Sequence, residues 1–297
     1  MNTASISKRD LAAEFAGWVG KSMTVDDEIT LSAVRRMAAM LDLDPMQFER
    51  GREIPPHWHS MFFTPNARRS QIGHDGHPKK GEFLPPIPLP RRMFVGRTAT
   101  FPGDLRVGDQ AQKRSEIIGI EQKHGRSGTL VFLKVRHTIE VDGKPTVIEQ
   151  QEVVYRDAPD NKAKAAPAAP TPAPVPTDND WSATYEMDPV LLFRYSALTW
   201  NGHRIHYDAD YARREEGYPA CVMNGALTVH LVIDEALKRG NNRRLKGLSA
   251  KLMSPLFVGN KLVIGGRAQQ GDLVEAWAGN EQGALAARVT LEFEKQA

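Results

Sequence analysis

Apolar positions along the 297 residues fall into two series of the same kind, one in each half of the chain. In the first, residues 28–43 (EITLSAVRRMAAMLDL) place Ile29, Ala33, Met37, Met40 and Leu41 at the spacing of one helix face. Strand-like runs follow at 91–101, 110–122, 129–141 and 146–155, punctuated by Gly125, Gly128 and Asp142-Gly143. In the second, residues 224–238 (NGALTVHLVIDEALK) predict a helix, with Gly240 as its stop. Leu227, Leu231, Val232, Ile233 and Leu237 make it apolar over a wide arc, so it is expected to be largely enclosed. Strand-like runs follow again at 245–252, 261–269, 273–278 and 284–294.

Between the series lies an Ala/Pro-rich stretch, residues 158–180, with almost nothing large to bury. Recurrent proline removes backbone donors and fixes φ, so neither helix nor sheet is expected to run through it, and it reads as an extended linker. The chain is thereby divided into an N-terminal domain at 1–157 and a C-terminal domain at 181–297. The halves share a weak repeat: residues 100–109 (TFPGDLRVGD) resemble 253–260 (MSPLFVGN), a proline and then a Val-Gly-Asp/Asn turn between two strands. One helix followed by antiparallel strands, twice, predicts an α+β double hotdog. In it, two copies of a sheet wrapped around a helix pair edge to edge, so that neither leaves an open edge at the join.

Composition narrows the classes of function. The formal charge is +3, from 39 basic and 36 acidic side chains, which gives no argument for nucleic acid. The sequence pI of about 8.9 is compatible with a local basic patch for an anionic ligand. Cys221 is the single cysteine, which excludes an intrachain disulfide framework and a cysteine-based zinc site and fits a reducing cytoplasm. No stretch approaches the roughly 20 apolar residues of a membrane span, and the first residues lack a signal-peptide core. No glycine-rich phosphate loop occurs, which argues against a nucleotide-driven reaction.

The chemistry concentrates at residues 194–225, RYSALTWNGHRIHYDADYARREEGYPACVMNG. His203 and His206 lie three apart, with Asn201, Tyr207, Asp208 and Asp210 around them. Adding water to an enoyl thioester requires a base for the water, a proton for the α-carbon and a donor for the charge on the thioester oxygen. Histidine suits the first two tasks. A backbone N–H at a helix N-terminus suits the third, and Gly225 stands at the start of the second predicted helix.

This segment resembles the active-site signature of the MaoC-like hydratases, in which an Asp is followed at short distance by a His. Asn201 stands in the Asp place, His203 in that of a following Asn, and His206 keeps the His. The version SALTWNGHRIHYD at 196–208 is similar to a narrower branch, the mesaconyl-C4-CoA (3-methylfumaryl-CoA) hydratases and type 2 hydroxyacyl-thioester dehydratases. His57-Trp58, Asp75-Gly-His77-Pro78, Gly81-Glu-Phe-Leu-Pro-Pro86, Leu89-Pro-Arg-Arg-Met93, Gly125-Arg-Ser-Gly128 and Val154-Tyr-Arg156 support the same branch. Where that branch has His-Gly-Pro, this chain has Asn224-Gly225-Ala226. The resemblance implies a hydro-lyase acting on an acyl-CoA, with His206, Asn201, Gly225 and His203 as its catalytic groups. The candidate substrate pocket comprises His77, Tyr195 and Asn224, with Arg91 or Arg92 suited to the carboxylate or phosphates of a dicarboxylic acyl-CoA where they are not simply solvated surface charge. The substrate the resemblance points to is a branched dicarboxylic enoyl-CoA. The alternatives are a 3-hydroxyacyl-thioester dehydratase of fatty acid synthesis and a non-catalytic acyl-thioester binding protein.

No cofactor is expected beyond the CoA of the substrate, and a homodimer is the expected assembly. His57, His59, His74 and His77 have a spacing a metal would use, but no helix presents them in pairs and hydration of an activated thioester needs no metal, so none is expected. Lys238-Arg239 and Arg243-Arg244 are expected to complement a helix C-terminus, and Cys221 to be a small buried apolar residue.

Overall fold

The computed structural model describes residues 9–125, 128–156, 172–240 and 243–295. Ten strands form one antiparallel sheet. Five come from the first half: β1 (Ser22–Glu28), β2 (Arg91–Thr100), β3 (Gln110–Gly125), β4 (Gly128–Val141) and β5 (Lys144–Arg156). Five come from the second: β6 (Trp181–Glu186), β7 (Leu245–Leu252), β8 (Lys261–Ala268), β9 (Leu273–Asn280) and β10 (Leu285–Phe293). Their order across the sheet is β1-β3-β4-β5-β2-β7-β10-β9-β8-β6, so β2 and β7 join the halves, from Gly96 opposite Lys251 to Thr100 opposite Gly247. Read outward from that join, the second half repeats the order of the first. This is the double-hotdog arrangement, with two sheets fused into one.

The helices are α1 (Leu11–Glu14), α2 (Leu31–Met40), α3 (Pro189–Leu198), α4 (Ala209–Arg214) and α5 (Gly225–Leu237). The second-half helix lies where its pattern predicts, and Leu227, Val229, Leu231, Val232 and Ile233 are all buried. Leu262, Ile264, Ala276, Ala278, Val289 and Leu291 from β8, β9 and β10 belong to the same core. Both edges of the sheet, β1 and β6, escape the hydrophobic pattern. Each has one strand partner and mostly exposed or half-buried positions, and β1 carries Asp26, Asp27 and Glu28, charges that discourage edge-to-edge pairing.

The repeat is structural as well as sequential. Gly108 N–H donates to Ile29 O and Gly259 N–H to Met187 O, each glycine in the left-handed region at φ of +99° and +91°. This correspondence corrects the pairing of helices. Ile29 and Met187 immediately precede the N-caps of α2 and α3, so α2 is the counterpart of α3 and not of α5. Ile54 N–H donates to Leu105 O as Met223 N–H donates to Leu256 O, so the counterpart of α5 is the short 3-10 turn segment Pro56–Met61. Two adjacent prolines, Pro55 and Pro56, open that turn where Asn224 and Gly225 open α5. The first half thus keeps only a stub of its central helix.

Residues 157–171, which include most of the Ala/Pro-rich stretch, lie outside the described residues, as do Arg126 and Ser127. The described end of that stretch, 172–180, runs without helix or strand, and Pro174 bridges to Ala284. Among the described residues, no helix is long and apolar enough to cross a membrane.

Candidate active site

Asp188 caps α3 by accepting from Val190 and Leu191 N–H, with Pro189 at the first helical position. Past its end, Trp200 takes the left-handed conformation (φ 51°) and turns the chain back. Asn201 N–H then donates to Ser196 O at 2.8 Å, and Asn201 Oδ1 accepts His203 N–H at 3.1 Å. The 3-10 turn Arg204–His206 follows and delivers His206 to the interior, 8% exposed.

His206 Nδ1 lies 2.7 Å from Val222 O. A carbonyl only accepts, so Nδ1 carries the hydrogen and Nε2 keeps a free lone pair. Burial pushes this imidazole down to about 4, against the raising effect of the Val222 carbonyl, so it is neutral at pH 7. Val222 lies three residues before Gly225, where α5 begins. No side chain caps that terminus, which leaves first-turn amides to face a ligand. A Cβ on Gly225 would stand 2.3 Å from Leu252 Cδ1, so the helix start packs closely on β7. Asn224 is buried, with Nδ2 3.4 Å from Ser196 Oγ and Oδ1 without a partner.

The first half reaches this site through the loop at 73–77. Asp75 O accepts Arg204 N–H at 2.9 Å, and a Cβ on Gly76 (φ +89°) would fall 1.8 Å from Gly202 O. The two loops are therefore in backbone contact that only glycine permits. Asp75 Oδ2 accepts from His77 Nδ1 at 2.9 Å, and Oδ1 accepts His77 N–H at 3.1 Å. Burial would raise Asp75, but the His77 hydrogen bonds and charge outweigh it and hold the carboxyl well below the usual range. Burial lowers His77, opposed by Asp75 and assisted by Arg92. The His77 and His203 rings are 4.1 Å apart and those of His203 and His206 5.5 Å apart. Burial, then His77 and His206, press His203 down to about 2.

The other sequence-selected residues divide. Arg91 is buried and spent on Glu216, 2.8 Å away. Arg92, its neighbour on β2, forms no ion pair with another described residue and acts electrostatically on His77, Lys80, Tyr155 and His203. Tyr195 is buried against α5, its ring 5.7 Å from His230. The four histidines weighed as a metal set are dispersed: His57 pairs with Asp234 at 2.9 Å, His59 with Glu149 at 2.8 Å, and His74 sits by Arg204. A different trio, Asp75, His77 and His203, brings donor atoms within 4.8 Å of one another. Cys221 is half-buried, and burial raises its thiol, so it stays protonated. The role of Asp75 as partner of His77 was not read from the sequence, although the Asp-x-His spacing in a turn was its visible signal.

Buried and half-buried histidines here and elsewhere in the fold have a consequence for stability. His137 and His206 titrate at about 4, His203 at about 2 and His230 well below its usual value, all because of burial. Once unfolded, each regains a value of about 6.5 and binds a proton that the folded state refuses, so stability rises with pH across that window. Asp75 and Glu149, held low in the fold, add a loss of the same sign below about pH 4. Thermal melts are therefore expected to show a nearly constant Tm above about pH 7 and a steady fall from about pH 6.5 downward. A Tm unchanged between about pH 7 and 5 would contradict the neutral, buried state of these rings.

Comparison with known proteins agrees with this architecture. The family model for hydroxyacyl-thioester dehydratase type 2 matches residues 57–258. The mesaconyl-C(4)-CoA hydratase of Chloroflexus aurantiacus is 38% identical over 287 residues, covering 95% of this chain and 99% of that protein. The mitochondrial hydroxyacyl-thioester dehydratase type 2 of Schizosaccharomyces pombe is 26% identical, over 71% of this chain and 77% of that one. Among solved structures, a MaoC-like dehydratase from Phytophthora capsici superposes with a TM-score of 0.69 at 14% identity, over 94% of this chain and 97% of that one. A Mycobacterium tuberculosis protein described as having a double hotdog fold gives 0.52 at 13% identity, over 93% and 96%. At such identities the structures speak to the fold alone. With the family model spanning most of the chain and a relative above 30% over nearly its full length, the chain belongs to the hydroxyacyl-thioester dehydratase type 2 family, of MaoC-like double-hotdog architecture.

Proposed function

We propose that this chain is a hydratase of α,β-unsaturated CoA thioesters that carry a second carboxylate, of the mesaconyl-C4-CoA to citramalyl-CoA type. The observation that carries the reading is a neutral histidine with a fixed tautomer, His206, beside the uncapped start of α5 at Gly225. In the hydration direction, His206 Nε2 takes a proton from water as its oxygen bonds to the β-carbon. The alkene pair moves toward the α-carbon, and the thioester oxygen gathers negative charge. Gly225 N–H, at the positive end of α5, is placed to meet that charge. Asn201 is neutral and orients the water but cannot take its proton. CoA enters as part of the substrate, and the reaction draws on no other cofactor.

Two features favour a short, charged acyl group over an alkyl chain. Arg92, in no ion pair with another described residue, is close enough to lower both His77 and His203, and a guanidinium suits a carboxylate. In addition, the side of α5 toward the first half is polar. His230 Nε2 meets Ser60 Oγ at 2.8 Å, Asp234 meets His57, and Arg97, Glu149 and His59 lie in the same buried network. His230 is five residues along α5 from Gly225, about 7.5 Å at 1.5 Å per residue, which is the scale of a four-carbon acyl unit. A long alkyl tail running that way would be met by polar groups and not by an apolar wall.

A panel of enoyl-CoA thioesters, with and without a distal carboxylate, tests the reading through loss of the enone absorbance. Faster turnover of the dicarboxylic members is expected. Arg92→Met is expected to raise KM for those members by about 10- to 100-fold, the worth of roughly 1.5–3 kcal/mol for a hydrogen bond to a charged group, and to leave KM for the uncharged members unchanged. Equal loss on both kinds of substrate would remove Arg92 from the carboxylate site.

A further inference from the structure

We propose that His77, held by Asp75, is the second acid–base group of the site, exchanging the proton at the substrate α-carbon, and that it is contributed by the half of the chain that lacks a full central helix. This rests on the hydratase reading above.

Hydration moves two protons, one off the water and one onto the α-carbon. His206 has a single free nitrogen, since Nδ1 is committed to Val222 O. Asn201, where related motifs carry an acid, spends its Oδ1 on His203 N–H and cannot titrate. The carboxylate absent there is present across the interface. Asp75 Oδ2 sits 2.9 Å from His77 Nδ1, the relation in which a carboxylate fixes a histidine tautomer and stabilises its protonated form. Nε2 of His77 is then the exchanging atom. Nothing local brings this pair to His206. The Gly76–Gly202 backbone contact and the Arg204 N–H bond to Asp75 O do so, between segments more than 120 residues apart in sequence.

The steps balance without any oxidant or reductant. The water O–H bond breaks and its proton goes to His206 Nε2, while the oxygen bonds to the β-carbon. The displaced pair, held as an enolate at Gly225 N–H, takes the Nε2 proton of His77, which enters the step as an imidazolium with Nδ1–H on Asp75, and forms the α-carbon C–H bond. His206 is left protonated and His77 neutral. His203, whose ring lies 4.1 Å from one and 5.5 Å from the other, stands between them. As a neutral imidazole it has one donor and one acceptor nitrogen, which suits it to return the proton. Dehydration runs the same steps backwards. Arg92 is one of the groups that depress His77, so a substrate carboxylate bound at Arg92 would favour protonation of His77 as the substrate arrives.

The test uses the full chain and an enoyl-CoA that the wild type hydrates. It measures kcat and KM from about pH 5 to 9 for wild type, His77→Gln and Asp75→Asn, with a thermal melt of each. For His77→Gln, kcat is expected to fall by about 10²- to 10⁴-fold with KM within a few-fold, and the alkaline limb of the kcat profile to disappear. Asp75→Asn is isosteric and can still accept His77 N–H, so it tests the idea even if His77→Gln folds poorly. Its alkaline limb is expected at lower pH, because the imidazolium has lost its carboxylate. Wild-type kcat in folded His77→Gln, or an alkaline limb that does not move in folded Asp75→Asn, would overturn the proposal. So would a loss that follows the melting temperature while the alkaline limb stays in place. A wild type that hydrates no enoyl-CoA would instead overturn the hydratase reading beneath it.

Discussion

His206→Gln is expected to lower kcat by about 10²- to 10⁴-fold with little change in KM, the range for loss of a general acid–base group. Glutamine is the informative replacement. Its amide matches the reach of Nε2, the atom that would take the proton, and stays polar and neutral, but it offers no nitrogen of useful basicity. On the proposed reading the substrate is held elsewhere, at Arg92 and along the start of α5, so KM is expected to hold. A fall in kcat/KM carried entirely by KM would mean that His206 binds and does not transfer protons. The variant also removes one of the rings that resist protonation in the fold, so its melting temperature is expected to depend less on pH below about 6.5.

The second large effect is expected at Gly225, and the choice of substitution decides what it tests. Gly225→Pro deletes the N–H in question, yet proline is well tolerated at the first position of a helix because that N–H has no intrahelical partner. The preceding residue, Asn224, already has extended backbone angles (φ −59°, ψ 123°) that proline permits. The added carbons would press on Leu252 Cδ1, the end of a flexible side chain, so Leu252→Ala in the same chain makes room. For the double variant, kcat is expected to fall by about 10²- to 10³-fold relative to Leu252→Ala alone, corresponding to roughly 2.7–4 kcal/mol for one oxyanion donor. Gly225→Ala with Leu252→Ala keeps the N–H and is expected to retain most activity. Equal losses in the proline and alanine pairs would mean that packing, and not the donor, is what Gly225 provides.

Strands inside the sheet were legible because burial alternates along them. On β10, Val289, Leu291 and Phe293 face in while Arg288, Thr290 and Glu292 face out, and a period of two survives in the sequence. The edge strands β1 and β6 left no such trace, because an edge buries little. The pairing of α2 with α5 was misread because both are apolar on one face. What separates them is a register of backbone hydrogen bonds around Ile29 and Met187, which carries no side-chain signature. The site divides in the same way. Asn201, His203, His206 and Gly225 lie within one stretch of chain, so their association could be read locally. Asp75 joins them through the contact of Gly76 with Gly202 and the Arg204 N–H bond to Asp75 O, which no periodicity reports. Nor could the sequence choose between Arg91 and Arg92. Adjacent residues on a strand point to opposite sides, and the partner that occupies Arg91 is Glu216, 125 residues away.

The central claim is that this chain adds water across the double bond of a dicarboxylic enoyl-CoA and that His206 makes the water reactive. Incubation of wild type and His206→Gln with mesaconyl-C4-CoA in ¹⁸O-labelled water, followed by mass spectrometry of the thioester, tests it most directly. The expected result is a hydroxyacyl-CoA one labelled water heavier than the substrate, formed rapidly by the wild type and at least about 100-fold more slowly by the variant. An unlabelled thioester recovered unchanged from the wild type, or equal labelling rates in the two proteins, would contradict it.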